Sequence, residues 1–175
     1  LRRGENRFGP AHRMDGQEGP FLATVIPVLN EAPFIERCLL GFLNQSLSPS
    51  DHMILVLDGG SSDGTVEMVK RLVSEHQGDA WPRLVLEMNP GKTVAHARNL
   101  SLGILPESVE YVVEMIGHAT VQPDHLEQRL QAWHACADKV SGKLAGVGVR
   151  VVEDDNQRSY VGDWVEGALA SPLGR

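Results

Sequence analysis

The chain has 175 residues, 42% of them hydrophobic and 22% charged, with a formal net charge of −7. That length suits one domain with a sizeable core, and that acidity excludes the basic face a nucleic-acid groove needs, so no nucleic-acid partner is expected. No apolar run reaches the roughly 18 residues of a membrane span, and no apolar segment follows the Arg-rich start as a secretory signal requires.

Residues 1 to about 20 carry four Arg among Gly and Pro and read as a flexible arm, with 21–175 as the domain. Phe21 to Ile26 reads as a first buried strand, followed by a loop from Pro27 to Asn30. From Ala32 to Gln45, Phe34, Ile35, Cys38, Leu39, Phe42 and Leu43 recur at helical spacing, with Pro33 suited to the helix start. A second strand, His52 to Leu57, precedes a helix from Thr65 to His76 whose inner stripe is Val66, Val69 and Val73. Leu84 to Met88 is the third strand, Thr93 to Leu105 the third helix and Glu110 to Met115 the fourth strand. Asp124 to Ala137 is the fourth helix, opened by Pro123. Leu144 to Val152 reads as a fifth strand, and 157–170 as weakly helical. Strands and helices alternate throughout, which calls for an α/β fold with a mostly parallel sheet flanked by helices on both faces.

The most informative stretch is Val56-Leu-Asp-Gly-Gly-Ser-Ser-Asp-Gly-Thr65. A buried strand ends there in a carboxylate, delivering Asp58 to the crevice at its carboxyl end, where open α/β sheets bind ligands. Such an Asp can accept hydrogen bonds from a base edge or from ribose hydroxyls. The same residues also serve a strand-to-helix turn, with glycines for positive φ and Asp63 as helix cap. Cys38 and Cys136 belong to no Cys-x-x-Cys pair and read as reduced thiols, although their spacing leaves a long-range disulfide open.

Ile26-Pro-Val-Leu-Asn-Glu31, Leu57 to Thr65, Asn89-Pro-Gly-Lys92, Ala97-Arg-Asn99 and Gly117-His-Ala119 ahead of Pro123-Asp124 follow one another in this order. Together they resemble the nucleotide-binding half of a family 2 glycosyltransferase of GT-A fold, with a Rossmann-like sheet. Within that family the chain is most similar to the succinoglycan-type enzymes of exopolysaccharide synthesis. The resemblance implies a nucleoside-diphosphate sugar donor, a polysaccharide or lipid-linked acceptor, and inverting transfer. It places Pro27, Val28, Asn30, Glu31 and Asp58 at the base and ribose. Gly91, Lys92, Arg98 and Gly117 would lie along the donor, and His118 would serve a divalent metal, Mg²⁺ or Mn²⁺. It also implies a cytoplasmic setting at the inner face of the membrane, with membrane association through regions outside this chain, room for a homo-oligomer, and continuation past Arg175 into an acceptor-binding half that carries the catalytic base.

One position departs from the pattern. The succinoglycan-type metal motif reads Asp-x-His, and here the three residues are Ile116-Gly117-His118. A hydrocarbon cannot ligate an ion. Glu114 lies four residues from His118, about 13 Å along an extended strand, too far to share one. Two expectations follow: either Lys92, with Arg98, neutralises the diphosphate, or the site is degenerate and the chain is a non-catalytic nucleotide-sugar-binding module. His118 also suits a plain role capping a backbone group, and Glu31 a place in the first turn of its helix. Asp154 and Asp155 follow the fifth strand too early to match the base, so no catalytic base is assigned. A nucleotidyltransferase would need a glycine-rich loop after the first strand, which Pro27 to Glu31 lacks. A plain α/β interaction domain without ligand is the remaining alternative.

Overall fold

The computed structural model describes residues 19–148. Its elements run β1 (Leu22–Val28), α1 (Ile35–Leu43), β2 (His52–Asp58), α2 (Thr65–Glu75), β3 (Arg83–Met88), α3 (Val94–Ile104), β4 (Tyr111–Glu114) and α4 (His125–Ala137). The four strands form one sheet in the order β3-β2-β1-β4, with every neighbouring pair parallel. All seven residues of β2 are buried, as the continuous apolar run of a central parallel strand requires.

Strand alternation assigns each side chain to a face. Leu22, Ile26, Val28, Ile54 and Val56 join one core with Ile35, Cys38, Leu39 and Phe42 of α1, Val69 and Leu72 of α2, and Leu126 and Leu130 of α4. Val25, Leu55 and Leu57 point the other way, against Ala97 of α3, with Leu100 and Ile104 at its edge. Three helices therefore cover one face and α3 the other. The stripe of α2 runs through Thr65, Val69 and Leu72, with Val66 and Val73 only half-buried, a shift from the expected stripe. The start of α4 is clasped by Gln45, whose side chain donates to the Gln122 carbonyl at 2.9 Å and accepts from the Leu126 N–H at 2.9 Å.

Some boundaries differ from the sequence reading. Pro27 sits inside β1, opposite Leu57 of β2, rather than in a loop. The pairing of β4 with β1 ends at Val25, so the proline, which has no N–H to give, lies where β1 has no β4 partner. Pro33 stands in the turn before α1, whose first N–H groups are taken up by the Glu31 carbonyl, from Phe34 and from Ile35, both at 2.9 Å. Residues 144–148 carry no strand, and the rest of the expected fifth strand, the arm over 1–18, the helix over 157–170 and Asp154 and Asp155 lie outside the described residues. Contacts divide the chain into two units, Leu1–Gln131 and Ala132–Arg175, and the whole sheet belongs to the first.

Candidate functional site

Chain order changes direction at β1: β2 and β3 extend the sheet on one side, and β4 joins on the other. A reversal of this kind opens a crevice at the carboxyl ends of the strands. The loops after β1, β2, β3 and β4 meet there.

The loop after β1 is pinned to the loop after β2 by four hydrogen bonds. The Asn30 N–H donates to Ser61 Oγ at 2.8 Å, and Asn30 Oδ1 accepts from the Ser62 N–H at 2.9 Å. The Glu31 N–H donates to Thr65 Oγ1 at 2.9 Å, and the Ala32 N–H to Asp63 Oδ2 at 3.0 Å. Asn30 reaches this geometry at φ 57°, in the left-handed region that Asn tolerates better than most residues.

Asp58 stands at the end of β2, as expected, but it is 1% exposed. Its Oδ2 accepts from the N–H of Gly60 at 2.9 Å and of Ser61 at 3.1 Å. Charge-assisted bonds to backbone amides contribute about 1.5–3 kcal/mol each. In this geometry the carboxylate shapes the loop; it does not stand open to a base. Asp63 is not the residue at the N-cap of α2; that position is Gly64, at φ 99°. Asp63 accepts from the Thr65 hydroxyl at 2.6 Å, and this bond, with those from the Thr65 and Ala32 amides, holds its carboxyl below the usual range.

The loop after β3 crosses directly above Gly59. A Cβ on Gly59 would meet the Lys92 carbonyl at 3.3 Å and the Val28 carbonyl at 3.4 Å, tighter than side chains ordinarily pack. The turn is locked by Asn89, whose N–H donates to the Asp58 carbonyl at 2.7 Å and whose Nδ2 donates to the Thr93 carbonyl at 3.0 Å. Asn89 Oδ1 lies 2.6 Å from His96 Nδ1, and the His96 ring fills the space a Cβ on Gly91 would take. Lys92 is exposed at φ 58°, with its side chain beside Gly60. Thr93 caps α3 through its hydroxyl, which accepts from the His96 N–H. Arg98, on α3, gives its Nε to the Glu114 carboxylate at the end of β4, which raises its already high pKa. The pair is exposed, and water screens it.

After β4, Gly117 is buried, and a Cβ there would press on Glu31 Cγ at 2.9 Å and Val28 Cγ1 at 3.0 Å. The next side chain, His118, puts Nδ1 3.0 Å from Glu31 Oε1 and 3.2 Å from Oε2. It pairs with a side chain and not with a backbone group, and the Glu31 carboxylate faces this imidazole instead of its own helix start. Ile116 is 50% exposed, while its carbonyl turns inward to accept from Cys38 Sγ at 3.5 Å. Burial pushes the Cys38 thiol up to about 11, so it is a protonated donor there.

A separate hollow of about 500 Å³ opens at the amino-terminal rim of the sheet, lined by His52, His76, Trp81 and Arg83 among others. Trp81 packs edge-on against His76, its ring centre 4.6 Å away. The four loops described above all converge at the opposite rim.

A profile of the family described as "Glycosyl transferase family 2" matches residues 24–168. The chain belongs to this family. It is 34% identical to the succinoglycan biosynthesis protein ExoA of Rhizobium meliloti (strain 1021) over 125 residues, 71% of this chain and 36% of that protein. It is 28% identical to a dolichyl N-acetyl-alpha-D-glucosaminyl phosphate 3-beta-D-2,3-diacetamido-2,3-dideoxy-beta-D-glucuronosyltransferase of Methanococcus voltae over 128 residues, 73% of this chain and 38% of that one. Among solved structures it resembles the mannosyltransferase PcManGT from Pyrobaculum calidifontis in complex with GDP-Man and Mn²⁺, with a TM-score of 0.57, 28% identity, and coverage of 65% of this chain and 32% of that one. S. aureus TarS in complex with UDP gives a TM-score of 0.51 at 18% identity, over 74% of this chain and 38% of that one, a likeness of fold alone. The chain spans a little over a third of the length of ExoA and of the Methanococcus voltae enzyme.

For this family 2 glycosyltransferase domain, with its GT-A sheet, the crevice gathers most of the residues the sequence singled out. Pro27 and Val28 close the end of β1 beside it, and Asn30, Glu31, Lys92, Gly117 and His118 come to its loops, with Gly91 beneath the His96 ring and Arg98 joined to Glu114. Sequence reasoning missed Ser61 and Thr65 as the hydroxyls that fasten the first two loops, and His96 as the ring that locks the third. The hydroxyl pair after two glycines was the available sign for Ser61. Nothing local marks His96, because its partner Asn89 lies seven residues back across a turn. Among the described residues no helix is long and apolar enough to cross a membrane.

Proposed function

We propose that the crevice binds a nucleoside-diphosphate sugar. Within a longer polypeptide, the domain serves transfer of that sugar to a polysaccharide or lipid-linked acceptor, with inversion at the anomeric carbon. The observation that carries this reading is the close approach of the loops: Gly59 lies under the Lys92 and Val28 backbones, and Gly117 lies under Glu31. At Gly59 backbone packs on backbone, and at Gly117 the Glu31 and Val28 side chains come close, so the four loops are drawn together at one rim, where a base and ribose can lie against them. Pro27 to Glu31 form one wall. Asp58 sets the path of the Gly60–Ser61 backbone. Lys92 supplies positive charge for the diphosphate, and Arg98, on α3, is a second cation, in a solvent-screened pair with Glu114 at the end of β4.

The relatives' names agree in kind. PcManGT is described with GDP-Man and Mn²⁺, and ExoA with succinoglycan biosynthesis. A divalent metal is part of the proposal; when bound, Mg²⁺ or Mn²⁺ would offset the charge that develops on the departing diphosphate. The proposed setting is the cytoplasmic side of a membrane on which the acceptor grows.

Thermal unfolding with UDP and GDP, with and without Mn²⁺, tests the reading. A ligand at 100 times its Kd adds about 2.7 kcal/mol, a rise of roughly 5–10 °C for a domain of this size. No rise with any nucleoside diphosphate contradicts it. A second reading, a binding module without transfer, is favoured by Ile116, which offers no donor atom at the half-exposed motif position. Donor hydrolysis separates the two, because a binding module shows the thermal rise without turnover.

A further inference from the structure

We propose that Glu31 and His118 together form a divalent-cation site, with the Glu31 carboxylate supplying the anionic ligand that Ile116 cannot. The inference rests on the crevice as a nucleotide-sugar site and deepens it. Two ligands at right angles on a metal, with bonds of about 2.1 Å, stand about 3.0 Å apart. His118 Nδ1 lies 3.0 and 3.2 Å from the two Glu31 oxygens, so an ion can replace the shared proton with little movement of either side chain. The pair is open to a ligand, the imidazole 51% exposed and the carboxylate 18%.

Both partners are braced from behind. The Phe34 ring packs edge-on to His118 at 6.1 Å. Glu31 is anchored through its own N–H on Thr65, and its Cγ lies close against Gly117, where any larger residue would displace it. Charge points the same way. A carboxylate facing a bound diphosphate repels it, unless a cation stands between the two. Among the described residues no third His, Cys, Asp or Glu completes a group of three. The remaining coordination positions therefore fall to diphosphate oxygens and water, the usual arrangement where Mg²⁺ or Mn²⁺ is held with nucleotides. One imidazole in so small a set favours Mn²⁺ over the harder Mg²⁺.

The test is paramagnetic broadening of histidine ring resonances in the full chain by Mn²⁺ alone, with His118 assigned from His118→Ala. We expect the His118 signals to broaden first, and Glu31→Gln to raise the Mn²⁺ concentration needed at least tenfold. Ile116→Asp on the Glu31→Gln background should restore the effect, since that exposed position places a carboxylate two residues from His118. Broadening that is unchanged in Glu31→Gln, or centred on other histidines, overturns the proposal. Circular dichroism confirms that each variant is folded. UDP or GDP binding in EDTA reports separately on the donor site. Nucleotide binding that persists there, without selective broadening of His118, rejects the cation site and leaves the donor reading standing.

Discussion

His118 Nδ1 lies 3.0 Å from Glu31 Oε1, joining the loop after β4 to the loop after β1 across 87 positions of sequence. β1 and β4 are the strands between which the order of the sheet reverses. The contact therefore closes the crevice at the point where the topology opens it, and a glycine at 117 is what lets the two loops come so near.

Lys92 separates charge from stability. Its φ of 58° is strained for a side chain other than Gly, Asn or Asp. Lys92→Gly should leave unfolding by urea unchanged or raise stability by a few tenths of a kcal/mol to about 1 kcal/mol. The same variant should weaken UDP or GDP binding about tenfold or more, measured by calorimetry. Unchanged affinity would remove Lys92 from the diphosphate site.

Gly91 makes room for the His96 ring. Gly91→Ala should push that ring off Asn89 and destabilise the domain by roughly 1–3 kcal/mol, as overpacking does. Urea denaturation measures the loss, and the His96 ring resonance reports whether its Asn89 contact is gone.

His52 sets an acid limit. It is 1% exposed, its Nε2 lies 2.9 Å from Thr24 Oγ1, and burial pushes its pKa down to about 3. The unfolded chain, with an ordinary histidine near 6.5, binds the proton first. The stabilising effect of the neutral ring is therefore complete above about pH 6.5 and is lost as the pH falls toward 3, at up to about 1.4 kcal/mol per pH unit. His125, lowered to about 4 chiefly by burial, adds to the slope in the same direction. His52→Gln should flatten the dependence of stability on pH between 6 and 4, read from urea midpoints. An identical slope in the variant would show that His52 is not its source.

The sheet was legible because its two central strands, β1 and β2, are buried on both faces. Runs such as His52 to Leu57 read as continuous apolar segments, and the helices between them kept a clear period. Residues 144–148, Leu-Ala-Gly-Val-Gly, misled because a short apolar run imitates a strand whether or not a neighbour is there to pair with it. Asp58 could be located at the end of its strand, but its partners could not. An Asp followed by two glycines and a serine can face a ligand or fold back on its own amides, and only the path of the backbone decides. Glu31 and His118 each carried a plausible local role, a helix start and a backbone cap. Their pairing depends on strand order, which no local pattern encodes.

The central claim is that the loops after β1, β2, β3 and β4 form one site for a nucleoside diphosphate. Two-dimensional amide NMR of the full chain, titrated with UDP and with GDP, tests it most directly. The account predicts saturable shifts at Asn30, Glu31, Gly59 to Ser61, Lys92, Gly117 and His118, with none around His52, His76 and Trp81. Shifts confined to that opposite rim, or no saturable shifts with either nucleotide, would contradict it.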